Sequence, residues 1–129
     1  MDALPKRLGF HTGMACLLLQ VPDELKQMLI LPGGPAFTDS PKGRYGFALA
    51  FVVSPDRLCP IAQTAIKHTT PMATLWLAHS RAAVQVAAAF QAKAFDDFLK
   101  EHRKRRKSQI RIGRAGAEAE WLAIRLAHF

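Results

Sequence analysis

Met14-Ala15-Cys16-Leu17-Leu18-Leu19-Gln20, running directly into Val21-Pro22-Asp23-Glu24-Leu25, decides how the chain is read. The first stretch is apolar up to Gln20, which fits a strand buried on both faces of a sheet. The second reads as a helix start. Pro22 stands near the first helical position, where a missing N–H costs nothing, and Asp23 and Glu24 meet the positive end of the helix dipole. A strand turning tightly into a helix is the entry to a nucleotide-binding unit when the turn carries glycine, because glycine lets the backbone approach the ligand. This turn carries none.

Outward from that stretch, apolar runs alternate with helix-like segments. Residues 22–27 read as a short helix and residues 28–31 as a short strand stopped by Pro32. Residues 32–46 are rich in Gly and Pro and read as a loop, with a brief strand at residues 36–38. Residues 47–53 are uniformly apolar and predict a central strand. Ser54-Pro55-Asp56 supplies an N-cap and a proline at the first position of a helix reaching about His68, which Pro60 bends or restarts. Thr69-Thr70-Pro71 ends that helix, and residues 72–78 form the next central strand.

Between residue 84 and about residue 106 there is neither Gly nor Pro. Ala87, Phe90, Ala94 and Phe98 recur at spacings of three and four, predicting one long amphipathic helix whose basic last turns complement its dipole. Residues 109–112 and 121–127 read as strands joined by a turn at residues 113–118. Their apolar and polar residues alternate, which places them at a sheet edge as an antiparallel pair. Strands alternating with helices imply parallel strands joined by right-handed crossovers. The expected fold is therefore α/β: a minimal Rossmann-like sheet, mostly parallel, with an antiparallel C-terminal edge pair and flanking helices. Length makes it one domain over residues 1–129.

The closing order of helix, strand, turn and strand is that of class I methyltransferase-like Rossmann domains. The chain resembles a family of small, uncharacterised bacterial proteins with such a domain, in degenerate form. The resemblance is carried by Leu8-Gly9-Phe10-His11-Thr12-Gly13 before the first strand, residues 45–53, Leu75-Trp76-Leu77-Ala78-His79-Ser80, and residues 121–126. It implies the fold, and the family brings no established activity. The chain departs from working methyltransferases of this class at three places. The first turn lacks glycine. The second strand ends Leu31-Pro32-Gly33-Gly34, with no acid for ribose hydroxyls. Tyr45-Gly46 stands where an aromatic-Asp pair often opens the fourth strand.

Charge is concentrated. Residues 100–114 hold eight basic residues against one acid, a local +7 within a net +8. Basic clusters supply the salt-dependent part of polyanion binding. Arg103, Lys104, Arg105, Arg106 and Lys107 are the candidates, although no aromatic residue interleaves them for base stacking. The alternative is a solvated helix end. The two cysteines, Cys16 and Cys59, form no metal or redox spacing and read as small hydrophobes. No apolar stretch approaches the ~18–20 residues needed to span a bilayer, so a cytoplasmic protein without a membrane partner is expected.

In an open parallel sheet, ligands bind beyond the carboxyl ends of the strands. The residues expected there are Gln20 and Asp23 after the first strand, Ser54 and Asp56 after residue 53, and His79, Ser80 and Arg81 after residue 78. His79 has acid–base capacity and Arg81 can hold an anion. The alternative is that the serines cap helices while His79 and Arg81 are solvated. No catalytic residue, metal or cofactor is assigned by this reading. It favours a non-catalytic binding or regulatory module that acts with a protein partner or a polyanion. The alternatives are a divergent adenosylmethionine-dependent methyltransferase and a basic nucleic-acid-associated protein.

Overall fold

The structure, a computed structural model, describes residues 15–21, 36–38, 43–113 and 119–128. The helix expected at residues 22–27, the strand at 28–31 and the candidate Asp23 lie outside them. So do most of the 32–46 loop and the 113–118 turn.

The described strands are β1 (Ala15–Leu19), β2 (Ala36–Thr38), β3 (Tyr45–Phe51), β4 (Thr69–Ser80), β5 (Lys104–Gly113) and β6 (Ala119–His128). The described helices are α1 (Leu58–Lys67), preceded by a 3-10 turn at Pro55–Arg57, α2 (Val84–Gln91) and α3 (Lys93–Glu101). The strands form one sheet in the order β2-β1-β3-β4-β6-β5. β1 is parallel to both β2 and β3, and β3 is parallel to β4. β6 runs against both of its neighbours, β4 and β5. The sheet is therefore mixed, and the expectation of a mostly parallel sheet holds only in part. The closing antiparallel pair does form one edge of the sheet, with the reversed strand β6 next to β4 and β5 outermost.

Strand alternation divides the core. Leu17, Ala48, Ala50, Leu75, Leu77 and Ile124 face α1, α2 and α3, and meet Leu58, Ala62, Phe90, Phe95 and Leu99 there. Cys16, Leu18, Phe47, Leu49, Trp76 and Trp121 are buried on the opposite face. All three described helices thus cover one side. β3 is buried from Phe47 to Phe51, as its unbroken apolar run requires of a central strand. No described helix is long and apolar enough to cross a membrane.

Three boundaries differ from the sequence reading. β3 starts at Tyr45, which pairs with Thr69 and donates its N–H to the His68 carbonyl, and it stops at Phe51. Val53 falls outside the sheet and is 63% exposed. β4 takes in Thr69, Thr70 and Pro71, where its register with β3 is irregular, so the missing Pro71 N–H breaks no regular ladder. Pro60 sits in the first turn of α1, where no N–H has an intrahelical partner, and it therefore restarts the helix without kinking it.

The largest difference is the helix expected across residues 84–106. It is two helices. Ala92 is extended, with ψ at 149°, and it serves as C-cap of α2 and N-cap of α3. Residues 104–106 belong to β5, so the basic run does not decorate a helix end. Glycine and proline are absent and alanine favours helix, so nothing local sets the break; the Phe90 carbonyl freed there accepts from Arg106 on β5.

β5 changes face midway. Arg106 pairs with Leu126 and Ser108 with Arg125, so Lys107 is an extra, bulged residue. A one-residue offset exchanges the two faces of a strand. Arg106 therefore shares the helix-side face of Leu126, whereas Ile110 and Ile112 join the opposite core.

Candidate functional site at the carboxyl edge

β1, β3 and β4 are parallel neighbours, so their carboxyl ends share one edge. The chain goes from β1 to β2 on one side and returns to β3 on the other. That reversal is where open α/β sheets bind ligands. Gln20 stands at it, exposed and with φ at 59°. This is the left-handed region that glycine adopts freely and other residues rarely adopt. The backbone thus keeps the turn geometry of a glycine while the residue is glutamine.

Between the ends of β3 and β4 lies a cleft of about 420 Å³, lined by Val53, Ser54, Pro55, Ala82, Ala83, Val84, Gln85 and Val86. The two large exposed hydrophobics of the described chain, Val53 and Val84 at 63% and 74%, both stand on it. Ser54 and Gln85 are its polar side chains. Such walls hold an apolar or flat group by contact and orient it through a hydroxyl and an amide. Among the described residues, no cluster of His, Cys, Asp and Glu suits a metal ion.

Of the described residues expected at this edge, only Ser54 lines the cleft. Asp56 is fully exposed, and the Ser54 hydroxyl and then its own backbone N–H hold its carboxyl below the usual carboxylate range. Ser54 occupies an N-cap position, but its side chain makes no capping bond. Ser80 Oγ accepts from the Ala82 N–H at 3.2 Å, closing the turn into α2. Arg81 is exposed within that turn.

His79 is neither solvated nor in the cleft. It is 2% exposed, its ring centroid lies 4.8 Å from that of Phe90, and its Nδ1 is 2.8 Å from the Ser80 carbonyl. A carbonyl only accepts, so Nδ1 carries the proton. His79 fastens β4 beneath α2. Val53, Val84 and Gln85 escaped the sequence reading. Val53 ends an apolar run that looks like strand throughout, and Val84 opens a helix whose Val86 and Phe90 face the core. The proline two residues after Val53 was the available signal that the strand stops short.

The basic segment is likewise divided. Arg103, Arg105 and Lys107 are exposed, Arg106 is half-buried, and Lys104 is 5% exposed. Arg106 Nη1 donates to Asp96 Oδ1 and Nη2 to the Phe90 carbonyl, with its guanidinium carbon 5.4 Å from the Phe95 ring centroid. That cation is engaged within the fold. Burial pushes the Lys104 ammonium below its usual pKa.

The strand order, with one reversed strand between two that share a direction, defines a methyltransferase-like α/β fold. No family model matches the chain, and no curated protein matches it in sequence. Among solved structures, the chain is similar to the fibrillarin pre-rRNA processing protein of Methanococcus jannaschii, with a TM-score of 0.52 and 11% identity. That match covers 89% of this chain and 66% of the fibrillarin, so the chain spans just under two thirds of it. The N-methyltransferase NodS of Bradyrhizobium japonicum WM9 aligns over 95% of this chain and 91% of its own, at 12% identity and a TM-score of 0.49. The fibrillarin likeness is one of fold.

Proposed function

We propose that the chain is a divergent methyltransferase-type domain that binds an adenosyl ligand at the carboxyl edge, beside Gln20, with the cleft from Val53 to Val86 receiving the acceptor group. The observation that carries this reading is the coincidence of the strand reversal, the glycine-like backbone of Gln20 and the cleft on one edge. The methyltransferase-like fold supports it over a non-catalytic module. In this reading Ser54 and Gln85 orient the acceptor, and the apolar walls keep water from it. Titration calorimetry with adenosylmethionine and adenosylhomocysteine tests it. Saturable binding, weakened by Gln20→Val, whose branched side chain is strained at φ of 59°, is the expected result, and absence of heat with both ligands rejects it.

A second reading, a non-catalytic binding module, is favoured by one observation: among the described residues, no acid, base or charged group lines the cleft. Adenosyl binding without methyl transfer to any nucleophile supplied in the assay would select it.

A further inference from the structure

A second recess lies between α3 and β5, away from the carboxyl-edge cleft. It encloses about 300 Å³ and is lined by Asp96, Leu99, Lys100, Lys104, Arg105 and Arg106. Four of these six residues are cations and one is an acid. The acid is already engaged, since Asp96 holds Arg106. Lys100, Lys104 and Arg105 have no acidic partner among the described residues. Lys104 is the unusual member. Lysine is almost never buried unless paired, because removing its ammonium from water costs several kcal/mol unless a counter-charge replaces the water. Here Lys104 is 5% exposed and its neighbours in the recess are mostly cations. The buried Arg106 Nε–H also lacks a partner. The fold thus keeps a desolvated cation, a spare N–H and two exposed cations around one cavity, and all of them ask for an acceptor.

We propose that this recess binds a phosphate monoester or inorganic phosphate, with Lys104 at its floor and Lys100 and Arg105 at its mouth. A phosphate dianion offsets two of the three cations and presents at least three acceptor oxygens, whereas a carboxylate offsets one and presents two. The bulge at Lys107 helps to define the site. It ends the face on which Lys104 and Arg106 alternate, so the next residues of β5 leave the recess.

Thermal unfolding of the full chain, titrated with inorganic phosphate against chloride at matched ionic strength, tests the proposal. The melting temperature rises with phosphate concentration, as mass action requires of a ligand that binds only the folded state. Lys104→Met loses that rise. The Lys100→Ala, Arg105→Ala double variant keeps its fold, since both residues are exposed, and weakens phosphate affinity roughly tenfold or more. Lys107→Ala, outside the recess, leaves the rise unchanged. Equal responses to phosphate and chloride overturn the proposal, as does a double variant with undiminished affinity. A single-stranded oligonucleotide forms the contrasting arm. If it stabilises the protein while inorganic phosphate does not, the segment reads a diester backbone and the monoester site is rejected.

Discussion

Arg106, on β5, donates to the main-chain carbonyl of Phe90, the residue two before the break between α2 and α3. In an unbroken helix that carbonyl would accept from the N–H of residue 94, but the extended Ala92 takes the chain away. The guanidinium replaces the missing donor and ties it to Asp96. Arg106→Met removes both bonds and leaves the carbonyl unsatisfied. The expected cost is about 1–2 kcal/mol, discounted because Asp96 and Arg106 remain partly exposed. Arg106→Lys recovers only part of this, since an ammonium lacks the planar fork. Arg105→Met, one residue away and exposed, stays within about 0.5 kcal/mol of the parent. Urea unfolding midpoints check all three.

Ala92 is an N-cap without a capping side chain. Ala92→Asp or Ala92→Ser gives the first turn of α3 the acceptor it lacks and stabilises the protein by about 1 kcal/mol. In one continuous helix the same substitutions would destabilise it slightly. The sign of the change in unfolding free energy therefore reports whether the helix is broken here.

Lys104→Met stabilises the phosphate-free protein at neutral pH by about 1 kcal/mol, because it replaces a desolvated ammonium with an apolar chain of similar reach. The folded-state pKa of Lys104 is lowered from 10.5, so the folded chain gives up this proton before the unfolded chain does. The cost of burial is complete below the folded pKa, falls as pH rises toward 10.5 and is gone above it. The advantage of the variant shrinks across that alkaline window. Cys16 also titrates there, but it is present in both proteins and cancels in their difference. Chemical unfolding at a series of alkaline pH values follows the closing gap.

The two thiols separate by reactivity. Burial pushes Cys16 up to about 11 and raises Cys59 above its usual value, so neither is an activated thiolate at neutral pH. Cys16 is fully buried and Cys59 is only half-buried. Alkylation of the native protein labels Cys59 slowly and spares Cys16, and denaturant exposes both. Peptide mass mapping after timed quenching distinguishes the two. Labelling of Cys16 at the rate of Cys59 would mean that β1 opens under native conditions.

Arg103, with φ at 57°, follows the C-cap of α3 in the conformation that helices usually end on with glycine. Arg103→Gly relieves steric strain but adds freedom to the unfolded chain, so stability changes by no more than about 1 kcal/mol. The variant removes one exposed cation at little structural cost. Retention on heparin, measured beside Arg106→Met, separates a surface charge from a structural one.

The alternation of apolar strands with helices, and the antiparallel ending, were legible because each strand carries its own period. Phe47 to Phe51 reads as central, and the alternation over residues 121–127 reads as an edge pair, although β5 lies outermost and Trp121, Ala123, Ile124 and Leu126 are buried across both faces of β6. What the sequence concealed was set by tertiary partners. Nothing local marks Ala92 as a break, since the compensating donor comes from Arg106 on another element. The alternation of Lys104 and Arg106 looked like a helical charge run because both are cations, although one is buried and the other stapled. His79 was placed at an open edge by its position after an apolar run. The strand continues past it, and Phe90 covers it.

The bulge at Lys107 gives β5 two loyalties. Its first half serves the helices and its second half the opposite core, and the extra residue stands where the two meet. Lys107 itself is exposed, so exchanging its side chain should be nearly free. Removing the residue would set Arg106 and Ser108 opposite the adjacent Leu126 and Arg125 in a regular ladder, and Ile110 and Ile112 would keep the face they now occupy. A segment built this way holds one residue of slack, so relatives of this chain could carry a β5 one residue shorter with the same two faces.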